Sequence, residues 1–259
     1  MSRRGYHSRW LAAASDCARA IRFGSWRDGR RVVGNALQLP ALLRFLRELP
    51  PVGVLVSDES AGAFIAEHLS LRQWGIPRFR LAQGVLHLPE HFEQYLRGRR
   101  RQAVRTNTRR ARERGIKCEY AEVGAWKPWD RPGASSTAAE RWKATDSAGR
   151  VVAEAWLVVD HECALLYALT SSASYARWLL HTAIIERLCG QGRRLLITNS
   201  FDVPLMPPGQ QHFQHLTGYT VGRLRLIRRS PHNRAQLAQP PLGTDPPPSG
   251  SILAVPPSA

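Results

Sequence analysis

Apolar residues are densest between Val151 and Ser200, and their spacing there passes from strand-like to helix-like and back. Val151–Val159 is an apolar, β-branched run, Asp160-His161-Glu162 a polar break, and Cys163–Thr170 apolar again, which predicts two strands and a tight turn. Ser171-Ser172-Ala173-Ser174 is small and hydroxylated, a helix-start signal because serine oxygens accept bonds from the first unpaired amides. Tyr175–Cys189 is apolar around most of its circumference, as in a helix laid on a sheet. Arg177, His181, Glu186 and Arg187 are its main polar positions, and His181 reads as a surface residue. Gly190 and Gly192 end the helix, and Arg194–Asn199 is the next strand. Strand, helix and strand with short joints predict a parallel, right-handed crossover. The helix start then lies at the carboxyl end of a strand, where bare amides and the positive dipole end favour anions.

The flanking pattern fills in the rest. His7–Ile21 places Trp10, Leu11, Ala14, Cys17, Ala18 and Ile21 on one helical face, to pack on the domain or, alternatively, to lie on a membrane surface. Ala41–Leu49 reads as a short helix, Val52–Val56 as a strand, Ser60–Leu69 as a helix and Phe79–Leu88 as a strand. Pro89–Gly115 is helical in two parts, the second dense in arginine, with Leu96, Ala103, Val104 and Ala111 on a narrow core-facing stripe. Ile116–Val123 is a strand, Gly124–Ala138 a loop or broken helix, and Arg141–Asp146 a strand that turns through Ser147-Ala148-Gly149-Arg150. After the central stretch come a Pro-rich loop, a helix at Gln210–Thr217, a break at Gly218 and a last strand at Tyr219–Arg228. Proline is then dense and periodicity vanishes. The organisation is therefore a basic segment 1–36, a small α/β unit 37–115 ending in the arginine-rich helix, a core 116–230, and a disordered tail 231–259. The fold class is α/β (α+β), a mixed central sheet with flanking helices.

Charge changes the picture more than composition does. Lys and Arg number 37 against 20 Asp and Glu, a net charge of +17, which favours anionic partners: nucleic acid, nucleotide-linked substrates or acidic lipid. Cys17, Cys118, Cys163 and Cys189 form no C-x-x-C pair and read as reduced, which points to the cytoplasm. No apolar run reaches membrane-spanning length. Ser2-Arg3-Arg4 and Ala18-Arg19-Ala20 resemble export signals, but the apolar run Trp10–Ala14 is too short and Asp16 interrupts it. The chain carries no H-E-x-x-H, P-loop, G-x-G-x-x-G or G-x-S-x-G pattern, and no metal site is expected.

From Ile116 the element order resembles the GNAT acyltransferase fold. Arg141–Leu157 looks like that family's second and third strands, and Phe213–Tyr219 like the aromatic-Leu-Gly segment before its last strand. The run Arg100-Arg101-Gln102-Ala103-Val104-Arg105-Thr106-Asn107-Thr108-Arg109-Arg110-Ala111-Arg112 is similar to the arginine-rich helix of the branch holding the Fem-type aminoacyltransferases and the acyltransferase-like proteins of polysaccharide clusters. The resemblance covers Pro89–Arg228. It implies transfer of an acetyl or aminoacyl group from an activated donor, acetyl-CoA or another acyl-CoA, to an amine on a cell-envelope or polysaccharide precursor, with charged tRNA a further candidate partner. It also places the donor at Thr170, Ser171, Ser172, Ala173, Ser174 and Tyr175. Two departures stand out: that segment has no glycine where the family has its pyrophosphate loop, and the family's acid tyrosine falls on Gln214.

Acyl transfer needs a base for the amine, donors for the carbonyl and a proton for the leaving group. Glu154, a carboxylate inside an apolar strand on the face of Trp156 and Val158, is the candidate base; the alternatives are a wet patch of sheet or an arginine partner. His212 and His215 flank Gln214 and could shuttle a proton. Tyr167 lies on the strand that lines the family's cofactor cleft and is alternatively a core tyrosine. Asp160, His161 and Glu162 read as a solvated turn. Arg105, Arg109 and Arg112 are the candidate contacts to an anionic, nucleotide-linked substrate. The alternative function is a non-catalytic GNAT-like protein that binds an anionic ligand or nucleic acid through this helix.

Overall fold

The computed structural model of the chain describes residues 48–49, 51–73, 76–80, 83–129, 133–198 and 208–228. The expected helix at His7–Ile21, all but the end of Ala41–Leu49, the loop 201–207 and the tail 231–259 lie outside them. The described residues belong to one compact unit ending at Arg228.

In chain order the elements are β1 (Pro51–Val56), α1 (Ser60–Ser70), β2 (Arg72–Gln73), β3 (Ile76–Pro77), β4 (Gln83–His87), α2 (Phe92–Leu96), α3 (Gln102–Glu113), β5 (Lys117–Trp126), β6 (Thr137–Thr145), β7 (Val151–Val159), β8 (Cys163–Ser171), α4 (Ser174–Gly190), β9 (Leu195–Thr198), α5 (Pro208–Thr217) and β10 (Thr220–Arg228). Eight strands form one mixed sheet in the order β1-β10-β4-β9-β8-β7-β6-β5, and β2 pairs with β3 separately. β5 to β8 form an antiparallel meander, β8 and β9 run parallel across α4, β4 runs antiparallel to both β9 and β10, and β1 is parallel to β10. Strands from both sides of residue 115 thus share this sheet. The expected mixed sheet with flanking helices is the fold.

Strand alternation sorts the apolar side chains onto two cores. On one face Ala155, Leu157, Leu166 and Leu196 meet Val104 and Ala111 of α3, Leu180, Ile184 and Leu188 of α4, and Phe213 of α5. On the other, Val54, Leu165, Tyr167 and Ile197 meet Phe64, Ile65 and Leu69 of α1. The buried stripe of α3 is Val104, Thr108 and Ala111, and Thr108 reaches Thr182 of α4 with hydroxyl oxygens 3.1 Å apart.

Several boundaries move for reasons of packing. β5 runs on to Trp126 because that indole is buried against Phe64, Trp156 and Tyr167. The strand expected from Phe79 begins at Gln83, after a 3₁₀ turn at Arg78–Arg80 whose first carbonyl accepts a bond of 3.0 Å from the Gln83 amide. The turn at Asp160 is not solvated at its first residue. Asp160 is 4% exposed, and its carboxylate accepts bonds from the Ser57 backbone N–H at 2.8 Å and the Ser57 hydroxyl at 2.6 Å. Nor is His181 a surface residue. It is 0% exposed, shares a 3.0 Å hydrogen bond with the Tyr219 hydroxyl, and lies edge-on to Phe213.

Candidate functional site

The parallel pair β8 and β9 is joined over a short register, from Cys163 opposite Leu195 to Leu166 opposite Thr198. β8 then continues through Tyr167 to Ser171, still paired with β7, while its other edge has no strand beside it among the described residues. A register shift between Trp156 and Leu157 leaves Tyr167 as the extra residue of β8, just past its last pair with β9. Among the described residues this edge of β8 is unpaired from Tyr167 on, and α4 starts at its end; the unpaired edge is called the notch below. Notches of this kind in mixed sheets expose backbone donors and acceptors to a ligand.

On the other side of β9 from β8, a glycine of β4 makes room for two polar side chains. Gly84 of β4 faces Thr198 and Gln214, and a Cβ built on it would lie 2.7 Å from Thr198 Oγ1 and 3.2 Å from Gln214 Oε1. The Thr198 hydroxyl donates to the Gly84 carbonyl at 3.4 Å. Gln214, in the position of the expected acid, is thus buried at the end of β9, where its amide can orient a polar group but cannot release a proton.

The donor segment sits at the rim. Thr170, Ser171 and Ser172 are exposed, Ala173 and Tyr175 half-buried, and Ser174 begins α4. Ser172 donates its backbone N–H to the Val152 carbonyl at 2.9 Å and its hydroxyl to the same oxygen at 3.2 Å, which ties the rim back to β7. No side chain caps the helix. The Arg114 guanidinium lies over the Tyr175 ring at 4.0 Å and brings a positive charge to the same corner.

The candidate catalytic residues are only partly assembled. Glu154 lies directly across from Thr170 in the β7–β8 register, one residue before the rim. Its carboxylate accepts a bond from Arg141 Nε, so the arginine-partner alternative describes its state. Arg141 also covers the Trp156 ring at 5.2 Å. His212 and His215 are exposed on α5, which packs through Phe213 and Leu216 against the core on the other face of the sheet from Trp156. The structure does not join these three into one acid–base group. Tyr167 is buried among Trp126, His68, Trp129 and Phe64, with ring centroids 5.2 to 6.3 Å away, as the core-tyrosine alternative has it.

The arginine-rich segment divides by use. Arg105 donates Nη1 to the carbonyls of Leu96 and Gly98 and so holds the bend before α3, where Gly98 has φ 85°. Arg109 pairs with Glu113 at 3.4 Å on the exposed side, and Arg112 is exposed on the same side. The concave surface lies on the neighbouring stripe, where Arg99, Arg100 and Arg110 line a groove of about 480 Å³ with Thr106, Asn107 and Leu216. The three arginines expected from sequence lie on the convex stripe; the groove is formed where Leu216 of α5 docks beside α3, which no local pattern encodes.

Two further environments limit the chemistry. Burial pushes the thiols of Cys118 and Cys163 up to about 11 and about 12, so neither is a thiolate nucleophile near neutrality. Burial, and then the Arg101 charge, pushes the His181 imidazole down to about 3 and keeps it neutral.

Fold and site together define a mixed α/β protein with a short parallel strand pair, a helix that starts at the end of β8, and an arginine-lined groove on one flank. No known family profile and no curated protein matches this chain. Among solved structures it is similar to the C-terminal domain of a candidate lysylphosphatidylglycerol synthetase from Agrobacterium fabrum, with a TM-score of 0.40 and 12% identity over 55% of this chain and 58% of that one. A conserved protein of unknown function from Bacteroides thetaiotaomicron gives 0.38 and 12%, over 54% of this chain and 59% of that one. L-PGS from Bacillus licheniformis gives 0.35 and 10%, over 45% and 44%. Each likeness spans less than two thirds of the neighbour's length.

Proposed function

We propose that this chain transfers an acyl or aminoacyl group from an activated thioester or ester donor to an amine, with the donor's extended arm lying along the open edge of β8. One observation carries the reading: β8 and β9 pair from Cys163 to Leu166, and among the described residues that edge of β8 has no partner from Tyr167 to Ser171, where a helix starts. The unpaired edge of β8 supplies hydrogen-bonding groups to an extended, amide-bearing arm in the way a missing strand would. The start of α4 and Arg114 face the donor's anionic end. The amine nitrogen attacks the donor carbonyl, the new C–N bond forms as the C–S or C–O bond breaks, and the amine proton passes to a base. Glu154 is the carboxylate nearest the rim, and it takes that role by exchanging its Arg141 contact for the incoming ammonium. Acyl-CoA is the simplest donor of this shape, and charged tRNA is the aminoacyl alternative.

One observation favours binding without turnover, the second reading: Gln214 stands where a proton donor is expected. A thermal-shift panel of acyl-CoAs, nucleotide-sugars and aminoacyl-tRNA separates the two. A donor at a hundredfold excess over its Kd stabilises the fold by about 2.7 kcal/mol. Ala173→Glu, at the half-buried start of α4, is expected to abolish that shift by charge and bulk. Glu154→Gln is expected to keep the shift and lose turnover, since Gln accepts no proton. Full turnover in Glu154→Gln removes Glu154 as the base, and an undiminished shift in Ala173→Glu removes the rim as the donor site.

A further inference from the structure

The groove on the flank of α3 has no role in the reading above. Its arginines differ from the rest of the segment in one respect. Arg101 donates Nη1 to the Leu216 carbonyl at 3.2 Å, lies over the Tyr95 ring at 4.9 Å, and fills the space that a side chain at Gly218 would need. Arg105 serves the Leu96 and Gly98 carbonyls, Arg109 pairs with Glu113, and Arg114 covers Tyr175. Among the described residues the side chains of Arg99, Arg100 and Arg110 have no ion pair and no hydrogen bond, and no carboxylate lines the groove they share. Like charges gathered around one concavity without a counter-charge repel each other, and an anion in the groove relieves that repulsion.

The shape narrows the class of anion. The groove, about 480 Å³, is shallow and open to solvent, so it takes a ligand lying on the surface. No aromatic ring lines it, so it offers a nucleic-acid strand nothing to stack on. Arg110 stands eight residues, about 12 Å of rise, beyond the start of α3, with Arg99 and Arg100 at the near end. Three cations along one groove are matched better by the charge and the larger number of oxygens of a diphosphate than by a single phosphate. Thr106 and Asn107 add neutral donors between them, and Leu216 gives an apolar wall for the rest of the molecule. Guanidinium groups bind phosphate oxygens in bidentate fashion, which suits this lining.

We propose that the groove lined by Arg99, Arg100 and Arg110 binds a small diphosphate-bearing ligand of the nucleoside diphosphate class, at a site separate from the unpaired edge of β8. The test is isothermal titration of the full chain with inorganic pyrophosphate, with ADP and with orthophosphate. One site per chain is expected for pyrophosphate and ADP, with orthophosphate clearly weaker. Each arginine removed is expected to weaken binding about tenfold, so the Arg100→Gln, Arg110→Gln double variant loses about a hundredfold. Arg109→Gln, on the convex stripe and paired with Glu113, is expected to stay within about twofold, since an exposed ion pair contributes little. If the double variant does not fold, Thr106→Glu on the groove wall serves in its place and is expected to abolish binding. Absence of binding by pyrophosphate and ADP at millimolar concentration overturns the proposal. So does undiminished binding in the double variant or in Thr106→Glu, and so does equal affinity for orthophosphate. A short single-stranded RNA that binds where ADP does not, and is lost in the double variant, overturns it in favour of a nucleic-acid surface. Binding at the start of α4 survives the double variant and is lost in Ala173→Glu, whereas binding in the groove shows the reverse, so failure of this proposal and failure of the transferase reading are distinguished.

Discussion

Replacing His181 by Gln is expected to flatten the acid dependence of stability. His181 is fully enclosed, with the Tyr219 hydroxyl bonded to it, the Phe213 ring against it, and the Arg101 charge acting on it. Burial first and the Arg101 charge second lower its folded-state value from 6.5 to about 3. A depressed histidine binds fewer protons folded than unfolded between those two values, so its contribution is present above 6.5 and is lost as pH falls. At pH 5.5 roughly ten of eleven unfolded chains carry the proton and the folded chain does not, whereas at pH 7.0 few of either do. The difference is about 1.3 kcal/mol between those two pH values, and any folded value below about 4.5 gives nearly the same figure. With an m-value of about 2 kcal/mol per molar urea, the wild-type midpoint should fall about 0.6 M more than that of His181→Gln. The glutamine keeps a hydrogen-bonding partner for Tyr219 but has no proton to gain, so the comparison removes the contribution of other titrating groups. Urea unfolding of both proteins at pH 7.0 and 5.5 is the assay. Equal midpoint losses would mean that His181 is charged in the folded chain or open to water, and would refute the enclosed packing of α4 against α5 and β10.

Two further substitutions test the frame of the site. Asp160→Ala removes the acceptor of both Ser57 bonds and leaves a buried N–H without a partner, for an expected loss of about 2–4 kcal/mol in chemical denaturation; a loss under about 1 kcal/mol would show that Asp160 is solvated. Gly84→Ala forces a methyl to within 2.7 Å of Thr198 Oγ1, so about 1–3 kcal/mol of stability should be lost in calorimetry. An unchanged melting temperature would show that the space beside Gly84 is open rather than packed.

The central hairpin and helix were legible because their signals are local. An apolar run broken by Asp160–Glu162, a serine-rich start and a glycine stop need no knowledge of the rest of the chain. The misread residues are those whose surroundings come from far away in sequence. Asp160 looks like a turn residue until Ser57, from the loop after β1, is placed against it. His181 occupies a polar position on a helix whose outer face is then covered by Phe213 and Tyr219. β4 has an apolar pattern that marks it as a strand, but nothing in that pattern inserts it antiparallel between β9 and β10. Trp126 extends β5 because Trp156 and Tyr167, on β7 and β8, give it a surface to stack on.

The arginine segment shows the same limit acting on function. Charge density alone marked the helix as an anion surface, and the expected contacts, Arg105, Arg109 and Arg112, share one stripe. Spacing cannot say which guanidiniums the fold itself uses. That is decided by Gly98, whose left-handed backbone turns the Leu96 and Gly98 carbonyls toward Arg105. It is decided also by Gly218, whose missing side chain lets Arg101 lie against the end of α5 and donate to Leu216. Once those two arginines hold α2 and α5 in place, the stripe of Arg99, Arg100 and Arg110 becomes the wall of a concavity and the other stripe faces bulk solvent. A cation on a convex, solvated surface attracts anions without selecting among them, whereas cations around a concavity with fixed walls impose a spacing on what they bind. The selectivity of this flank is therefore carried by two glycines as much as by any arginine, since they determine which arginines remain for a ligand.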